Sequence, residues 1–442
     1  MRIVVAVAWL SVMSAIAAGG EAPKTASGWA DLAAGKLASI PDANQDAYDW
    51  LQIAKVYADA NEPKKAAGLL AKVKAFANTE KEEQCKAMYL LDIARVQAVL
   101  KDRDGCRETL KAAEAAVSML SDDFPGFGNE WSDLAVIYLQ IGDVKAAANT
   151  ASKARDRSRW ARDLAFMARR QAWVRQFEVA FAALKLAEEN VEADDRLRQD
   201  LQMARACVLA SQGDLNRSQE LANGLEDPEQ KVKALADVAT AARRAGKDKL
   251  WPKLVDQAIR IADAQESRWR RQKSYSALLG SLLDAGLWDK AGEMADKLPE
   301  GQERTEAWTN IAMAQLGAGQ TEAAKTTLQK VQKLYDAPWP STQPGVPGRK
   351  SEYTRDCIIE LYAGTGQLDR AVKMYADFES KRGARSGIGS SAAVAGHGEA
   401  LMKWAETLPP AEAVEVYLGA AEGLVRHAKF YPDAKPSPLA KP

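Results

Sequence analysis

Histidine is nearly absent from the sequence. His397 and His427 are the only two in 442 residues, and neither has a cysteine or a second histidine close by. That leaves no imidazole set for a metal centre. Cysteine is almost as scarce: Cys85, Cys106, Cys207 and Cys357 contain no Cys-x-x-Cys pair and no zinc-like cluster. Net charge is missing too. Sixty Lys and Arg balance 60 Asp and Glu, so no basic excess speaks for nucleic acid as a partner. No Gly-x-Ser-x-Gly, His-Glu-x-x-His or P-loop occurs. The string "GIGSSA" at 387–392 touches a dinucleotide fingerprint but lacks the strand that must precede one. Carboxylate pairs carry no information in so acidic and basic a chain. Neither a cofactor nor a metal is expected.

Long apolar runs are missing beyond the N-terminus. "MRIVVAVAWLSVMSAIAAGGEAPK" places Arg2 before an apolar run from Ile3 to Ile16 and a small-x-small site at Ala15-Ile16-Ala17. This pattern predicts a secretory signal peptide over residues 1–18, cleaved near Ala17 or Ala18. The expected location is therefore periplasmic or secreted, with no stable membrane insertion after cleavage. Nothing later approaches the roughly 18 apolar residues that a membrane span needs. Export permits disulfides. Cys85 and Cys106, however, open two successive antiparallel helices whose ends point apart, so burial as small apolar residues is expected instead.

What is present is helical periodicity. From Tyr48 to Phe430 nearly every window places apolar residues at three- and four-residue steps. Leu134, Ile137, Tyr138 and Ile141 form one such stripe; Trp308, Ile311, Ala312 and Gln315 form another. Turn glycines recur at Gly105, Gly142, Gly213, Gly246, Gly286, Gly319 and Gly366, with a glycine-free turn near Trp173-Val174-Arg175. Asn61 with Pro63, and Pro409 with Pro410, mark two further turns. Asp143 and Asp214 directly follow their glycines and are expected to cap the next helix; Thr321, Asp289 and Asp369 are candidates for the same role. Small residues keep register with the turns: Ala135, Ala206, Ala239 and Ala312 before them, Ala147, Ala291, Ala324 and Ala371 after. Two small residues at each crossing allow paired helices to approach closely. The expectation is an all-α fold, an α-solenoid of about ten stacked helix-turn-helix repeats, because a lone hairpin cannot bury its apolar face.

Three segments break the rhythm. Residues 337–350 are proline-rich and predict a projecting loop. Residues 379–398 are rich in Gly and Ser and predict a second loop inserted in the C-terminal repeats. Residues 431–442 predict a disordered tail. The organisation is thus 1–18 signal, 19–45 linker and first helix, 46–336 repeats, 337–350 loop, 351–430 C-terminal repeats and 431–442 tail.

Tryptophans at 29, 50, 131, 160, 251, 288 and 404 read chiefly as core between helices. Two basic-aromatic clusters stand apart. One holds Lys153, Arg155, Arg157, Arg159, Trp160 and Arg162, and the other Arg268, Trp269, Arg270, Arg271 and Lys273. Each is either a solvated helix start or a seat for an anionic ligand gripped by guanidinium groups.

The repeat resembles the tetratricopeptide repeat (TPR) family, in a degenerate form. The residues that carry the likeness are Leu134-Ala135, Tyr138 and Ala147; Ile311-Ala312 and Ala324; and Ile358, Tyr362 and Ala371. The opening aromatic is mostly displaced and unit lengths vary. The resemblance implies a right-handed superhelix that binds a protein or peptide segment along a concave face lined by first helices. On that mapping the groove residues are Lys233, Arg243, Arg244, Lys273 and Ser276, then Glu306, Tyr353, Asp356 and Glu360. The functional expectation is a non-catalytic, exported protein-interaction scaffold. The alternative is an α/α-toroid polysaccharide-binding or polysaccharide-degrading enzyme, which a closed ring of helices would favour and an open superhelix would oppose.

Overall fold

The computed structural model describes residues 22–41, 47–120, 130–151, 153–154, 156–173, 175–190, 195–244, 247, 249–339, 350–376 and 382–430. The signal segment 1–18, turn residue Gly246, residues 340–349 of the proline-rich segment and the tail 431–442 lie outside them. The described residues form 22 helices, and none of them is in a strand. The chain divides into two compact units. A central unit runs from Ala77 to Leu298, and a terminal unit joins Met1–Phe76 to Pro299–Pro442.

Chain order begins in the terminal unit with α1 (Ala26–Ala38), α2 (Ala47–Asp59) and α3 (Pro63–Thr79). The central unit follows as six hairpins. These are α4 (Glu83–Val99) with α5 (Arg103–Ser118), α6 (Glu130–Gln140) with α7 (Val144–Ala151), and α8 (Arg157–Trp173) with α9 (Phe177–Glu189). Then come α10 (Asp195–Gln212) with α11 (Leu215–Asn223), α12 (Pro228–Arg244) with α13 (Trp251–Asp263), and α14 (Arg268–Asp284) with α15 (Trp288–Lys297). The terminal unit resumes with α16 (Gln302–Gly317) and α17 (Thr321–Asp336), α18 (Glu352–Gly364) and α19 (Leu368–Ala376), α20 (Arg382–Val394) and α21 (Gly398–Glu406), and ends on the long α22 (Pro410–Phe430). Within the central unit each first helix packs on its own partner and on the first helix of the next hairpin. Each unit is a stack of helical hairpins, so the α-solenoid expectation holds at the level of each unit.

The hairpin turns follow from backbone chemistry. After Ile137-Tyr138-Leu139 the Gly142 N–H reaches the Leu139 carbonyl and the Asp143 N–H the Tyr138 carbonyl, with Gly142 at φ 82°. This Schellman closure requires one left-handed residue. Gly213, Gly286, Gly319 and Gly366 supply it elsewhere, at no Cβ cost. Asn61, Lys101 and Arg175 accept the same conformation without being glycine. The glycine-free turn near Trp173 is therefore real, with Arg175 as its left-handed residue. Gly105, however, is not a turn residue. It lies inside α5, where its N–H is capped by Asp102, and the turn is at Lys101. Gly396, at φ 87°, makes the turn between α20 and α21, whereas Pro410 opens α22 and the Pro409-Pro410 pair links two hairpins. Asp143 and Asp214 cap as expected, accepting from Ala146 and Arg217 N–H at 3.2 Å. Thr321, Asp289 and Asp369 instead lie within the first turns of their helices.

The register alanines are all buried, at 0–2% exposure for 135, 206, 239, 312, 147, 291, 324 and 371. Successive second helices hold a strict register as well. Lys290 reaches Asp256, Lys297 reaches Asp263 and Gln257 reaches Asn223, each across 34 residues. A tyrosine of the intervening first helix completes two such links. Tyr275 donates to Asp263 at 2.5 Å beside Lys297, and Tyr138 donates to Glu114 at 2.9 Å beside Lys153 at 2.8 Å.

The terminal unit uses this link to join the two ends of the chain. Tyr57 of α2 donates to Asp31 of α1 at 2.7 Å, and Lys65 of α3 reaches the same carboxylate at 2.7 Å. Asp31 thus plays the part that Glu114 and Asp263 play on genuine second helices. α1 also packs closely on α22, with the Trp29 and Tyr417 rings 5.9 Å apart and each 1–2% exposed. The last hairpin is therefore assembled from α22 and α1, which are more than 370 residues apart in sequence.

The expected Gly/Ser loop at 379–398 is corrected: residues 382–394 form α20. The small residues serve contact rather than flexibility. A Cβ on Gly389 would overlap the Val416 carbonyl oxygen of α22, and one on Gly419 would overlap Ser386 of α20. Arg385 then ties the two helices, donating to Glu415 at 2.6 Å and pairing with Glu412 at 2.9 Å.

Three substitutions test this arrangement. Gly389→Ala should cost about 2–3 kcal/mol in urea unfolding through overpacking. Gly68→Ala, in open space on α3, should gain about 0.5–1 kcal/mol. Trp29→Ala should cost about 3–5 kcal/mol, and hydrogen exchange should show protection lost in α22 around 413–421, at the far end of the chain.

Candidate functional site: the first-helix layers

In the central unit, one carboxylate joins four consecutive first helices. Asp237 of α12 accepts from Arg169 of α8 at 2.7 Å, from the Cys207 thiol of α10 at 2.8 Å and from Ser281 of α14 at 3.1 Å. The Arg169 and Asp237 side chains are only 12% and 11% exposed. Against the downward pull of burial, Cys207 and Asp237 hold Arg169 above the usual guanidinium range. Burial and then Asp237 push the Cys207 thiol up, so it stays protonated and unreactive. One turn before Asp237 on the same helix sits Lys233, half-buried. Burial and then the Arg169 charge pull its ammonium below the usual lysine range, partly offset by Asp237, Cys207 and Glu229.

The other residues of this unit that the sequence mapped to a groove lie nearer solvent. Lys273 is exposed, 4.0 Å above the Trp269 ring and 3.9 Å from Glu229. Ser276 is exposed on the same helix. The Arg243 guanidinium lies 5.4 Å from the Trp251 ring centroid. Arg244 is the last residue of α12, and its side chain lies outside the described residues. The two basic-aromatic clusters separate here. Trp160 is 1% exposed and belongs to the core, whereas Trp269 is 60% exposed. Of these two rings only Trp269 is open to solvent.

The terminal unit presents a different layer. Tyr353 is 55% exposed and donates to Asn310 at 3.1 Å, and Glu306 accepts from Gln302 at 2.8 Å. Burial raises Asp356, with Arg355 opposing and Glu352 adding to the shift. Glu360 is pushed up to about 7, by burial first and by Asp356, against the opposing pull of Arg426 and Ser391. Arg426 comes from the C-terminal half of α22, where Glu422 is also raised by burial despite Lys55 and Arg426. His427 is only 6% exposed, and it makes a hydrogen bond with the Gly317 backbone of α16. Its ring is pulled below the usual range by burial. The sequence-mapped Glu360 thus meets Arg426, which the mapping missed. α22 runs past the usual end of a first helix, and periodicity does not show where that excess length goes.

Cys106 and Cys357 are buried along with Cys207, while Cys85 is half-exposed. Among the described residues no group of three His, Cys, Asp or Glu is placed to hold a metal, and no helix is long and apolar enough to cross a membrane. The indentation between α12, α13 and α14 is lined by Ala236, Ala239, Val255, Leu278 and Leu282 with the Thr240 and Ser281 hydroxyls, and no ionisable side chain lines it.

These features define an all-helical protein built from stacked helical hairpins. The sequence matches no family model and no curated protein sequence. The fold is similar to the crystal structure of Ton1535 from Thermococcus onnurineus NA1, at 13% identity and TM-score 0.31 over 70% of this chain and 92% of that one. It is also similar to the Rap protein complexed with competence and sporulation factor, at 14% identity and TM-score 0.30 over 82% and 99% of the two chains. A third similarity is to Naa15/Naa10 bound to HypK-THB, at 13% identity and TM-score 0.22 over 88% of this chain and 56% of that one.

The raised Glu360 has a pH consequence. Between its ordinary value and about 7 the folded chain keeps a proton that the unfolded chain has released, so stability falls as pH rises through that window. Urea midpoints at pH 5 and pH 8 should show wild type losing roughly 1–3 kcal/mol more than Glu360→Gln over the interval.

Proposed function

We propose that this protein is an exported, non-catalytic scaffold that holds an extended segment of a partner protein. The first helices of the central unit form the binding layer. The observation that carries this reading is the chemistry of that layer: Lys233, Arg243 and Lys273, the last lying over an exposed Trp269 ring, on helices that also carry a buried Arg169–Asp237 pair. A cationic surface with an accessible indole suits an extended peptide, because ion pairs set its register and the ring supplies apolar contact. Export rests on the N-terminal pattern at 1–18.

One arrangement favours the enzyme alternative. The terminal unit gathers Glu360 and Glu422 near Arg426, with Asp356 acting on Glu360. Catalysis there would be lost in Glu360→Gln, whereas partner binding would not.

The mature chain, starting near Gly19, is immobilised and exposed to the host's envelope and secreted fraction beside an Arg243→Glu/Arg244→Glu variant. A protein retained by the first and reduced at least tenfold on the second is expected. Equal retention by both, or cleavage of envelope polysaccharide, would overturn the proposal.

A further inference from the structure

The polar cluster on the first helices of the central unit is one anion short. The charges acting on Lys233 are those of Arg169, Asp237 and Glu229, with the Cys207 thiol beside them. Asp237 is already engaged: one oxygen accepts from Arg169 and Cys207, and the other from Ser281. Its charge is offset by that of Arg169, with which it is paired. Glu229 is then the remaining carboxylate acting on Lys233, and it also faces Lys273. The Glu229 contact with Lys273 is long, at 3.9 Å, and both side chains are well exposed, at 39% and 45%. Lys233 makes no hydrogen bond or ion pair of its own among the described residues, although its stem and head are half-buried. A half-desolvated ammonium without a partner is costly, and an incoming oxyanion removes the cost.

The surroundings limit which anion fits. Lys233, Lys273 and Glu229 together carry one net positive charge, which a single carboxylate balances. Trp269, 60% exposed with Lys273 4.0 Å above its ring, adds an apolar platform next to the cations. Glu229 shows the geometry in reduced form, as a carboxylate supplied by the protein itself at the edge of the same site.

We propose that Lys233 of α12 and Lys273 of α14, flanked by Trp269, form a carboxylate-binding site that takes an acidic side chain of a protein segment carrying a neighbouring aromatic or apolar residue. The inference rests on the scaffold reading of the same layer and names the chemistry of its partner. Glu229 acts as an internal competitor that the incoming carboxylate displaces.

The test uses the full mature chain and a fluorescein-labelled (Glu-Phe)4 peptide, read by fluorescence anisotropy at low salt. The (Gln-Phe)4 peptide is the neutral comparison. Lys233→Met should weaken (Glu-Phe)4 binding about tenfold or more. Lys233→Arg should restore most of it, and Glu229→Gln should tighten it several-fold. Lys290→Met, which removes a cation paired with Asp256 in the second-helix layer, should change it by less than about twofold. Equal binding of the Gln and Glu peptides, or no effect of Lys233→Met in a variant of native circular dichroism, would overturn the site. Inorganic phosphate displacing the peptide far better than acetate would overturn the carboxylate assignment. Running Lys233→Met through the capture experiment separates the two proposals. A partner retained equally by wild type and Lys233→Met leaves the scaffold standing and removes this site. Peptide binding that depends on Lys233, with no partner captured, does the reverse.

Discussion

A two-helix hairpin buries its apolar stripe only against another hairpin, and every stack of hairpins therefore has two faces with nothing to cover them. Most of what distinguishes this protein follows from how the terminal unit meets that constraint. α22 arrives as a first helix, and α1 packs on it as its partner from the other end of the chain. Trp29 fills the space beside Tyr417, and Asp31 enters the tyrosine–lysine link that joins hairpins elsewhere. Two potential faces are thus converted into core.

The same need for close contact explains the composition. Alanine at the crossings of hairpin partners, and glycine with serine where α20 meets α22, let backbones approach to close contact. Tyr57, Tyr138 and Tyr275 bury their rings and spend their hydroxyls on a neighbouring carboxylate.

The two first-helix layers have diverged on this common frame. In the central unit the buried charges are concentrated in one satisfied carboxylate, Asp237, and cations remain beside it. In the terminal unit the long α22 brings Arg426 and Glu422 to the carboxylates of α18 and closes His427 against α16. One layer is left short of anions, and the other is supplied with its own countercharges. This difference is why the binding proposal falls on the central unit.

Local rules were legible in the sequence because they act over a few residues. Helical periodicity, the left-handed turn positions at Gly142, Gly213, Gly286, Gly319 and Gly366, the caps at Asp143 and Asp214, and the register alanines were all readable there. Local rules also misled where a residue type has two uses. Gly105 marked no turn, because Lys101 tolerates the left-handed conformation. The Gly/Ser run at 382–394 was helix, because its small residues answer to α22 rather than to the solvent. Of the candidate site, the sequence supplied Lys233, Lys273 and Trp269 but not the Arg169–Cys207–Asp237–Ser281 network that leaves Lys233 unpaired. By itself the sequence determined an all-helical chain of hairpins, since period and turn chemistry are encoded within each repeat. The tertiary structure alone decided that the first helix completes the last hairpin and which carboxylates are already occupied, because both depend on residues that only folding brings within reach.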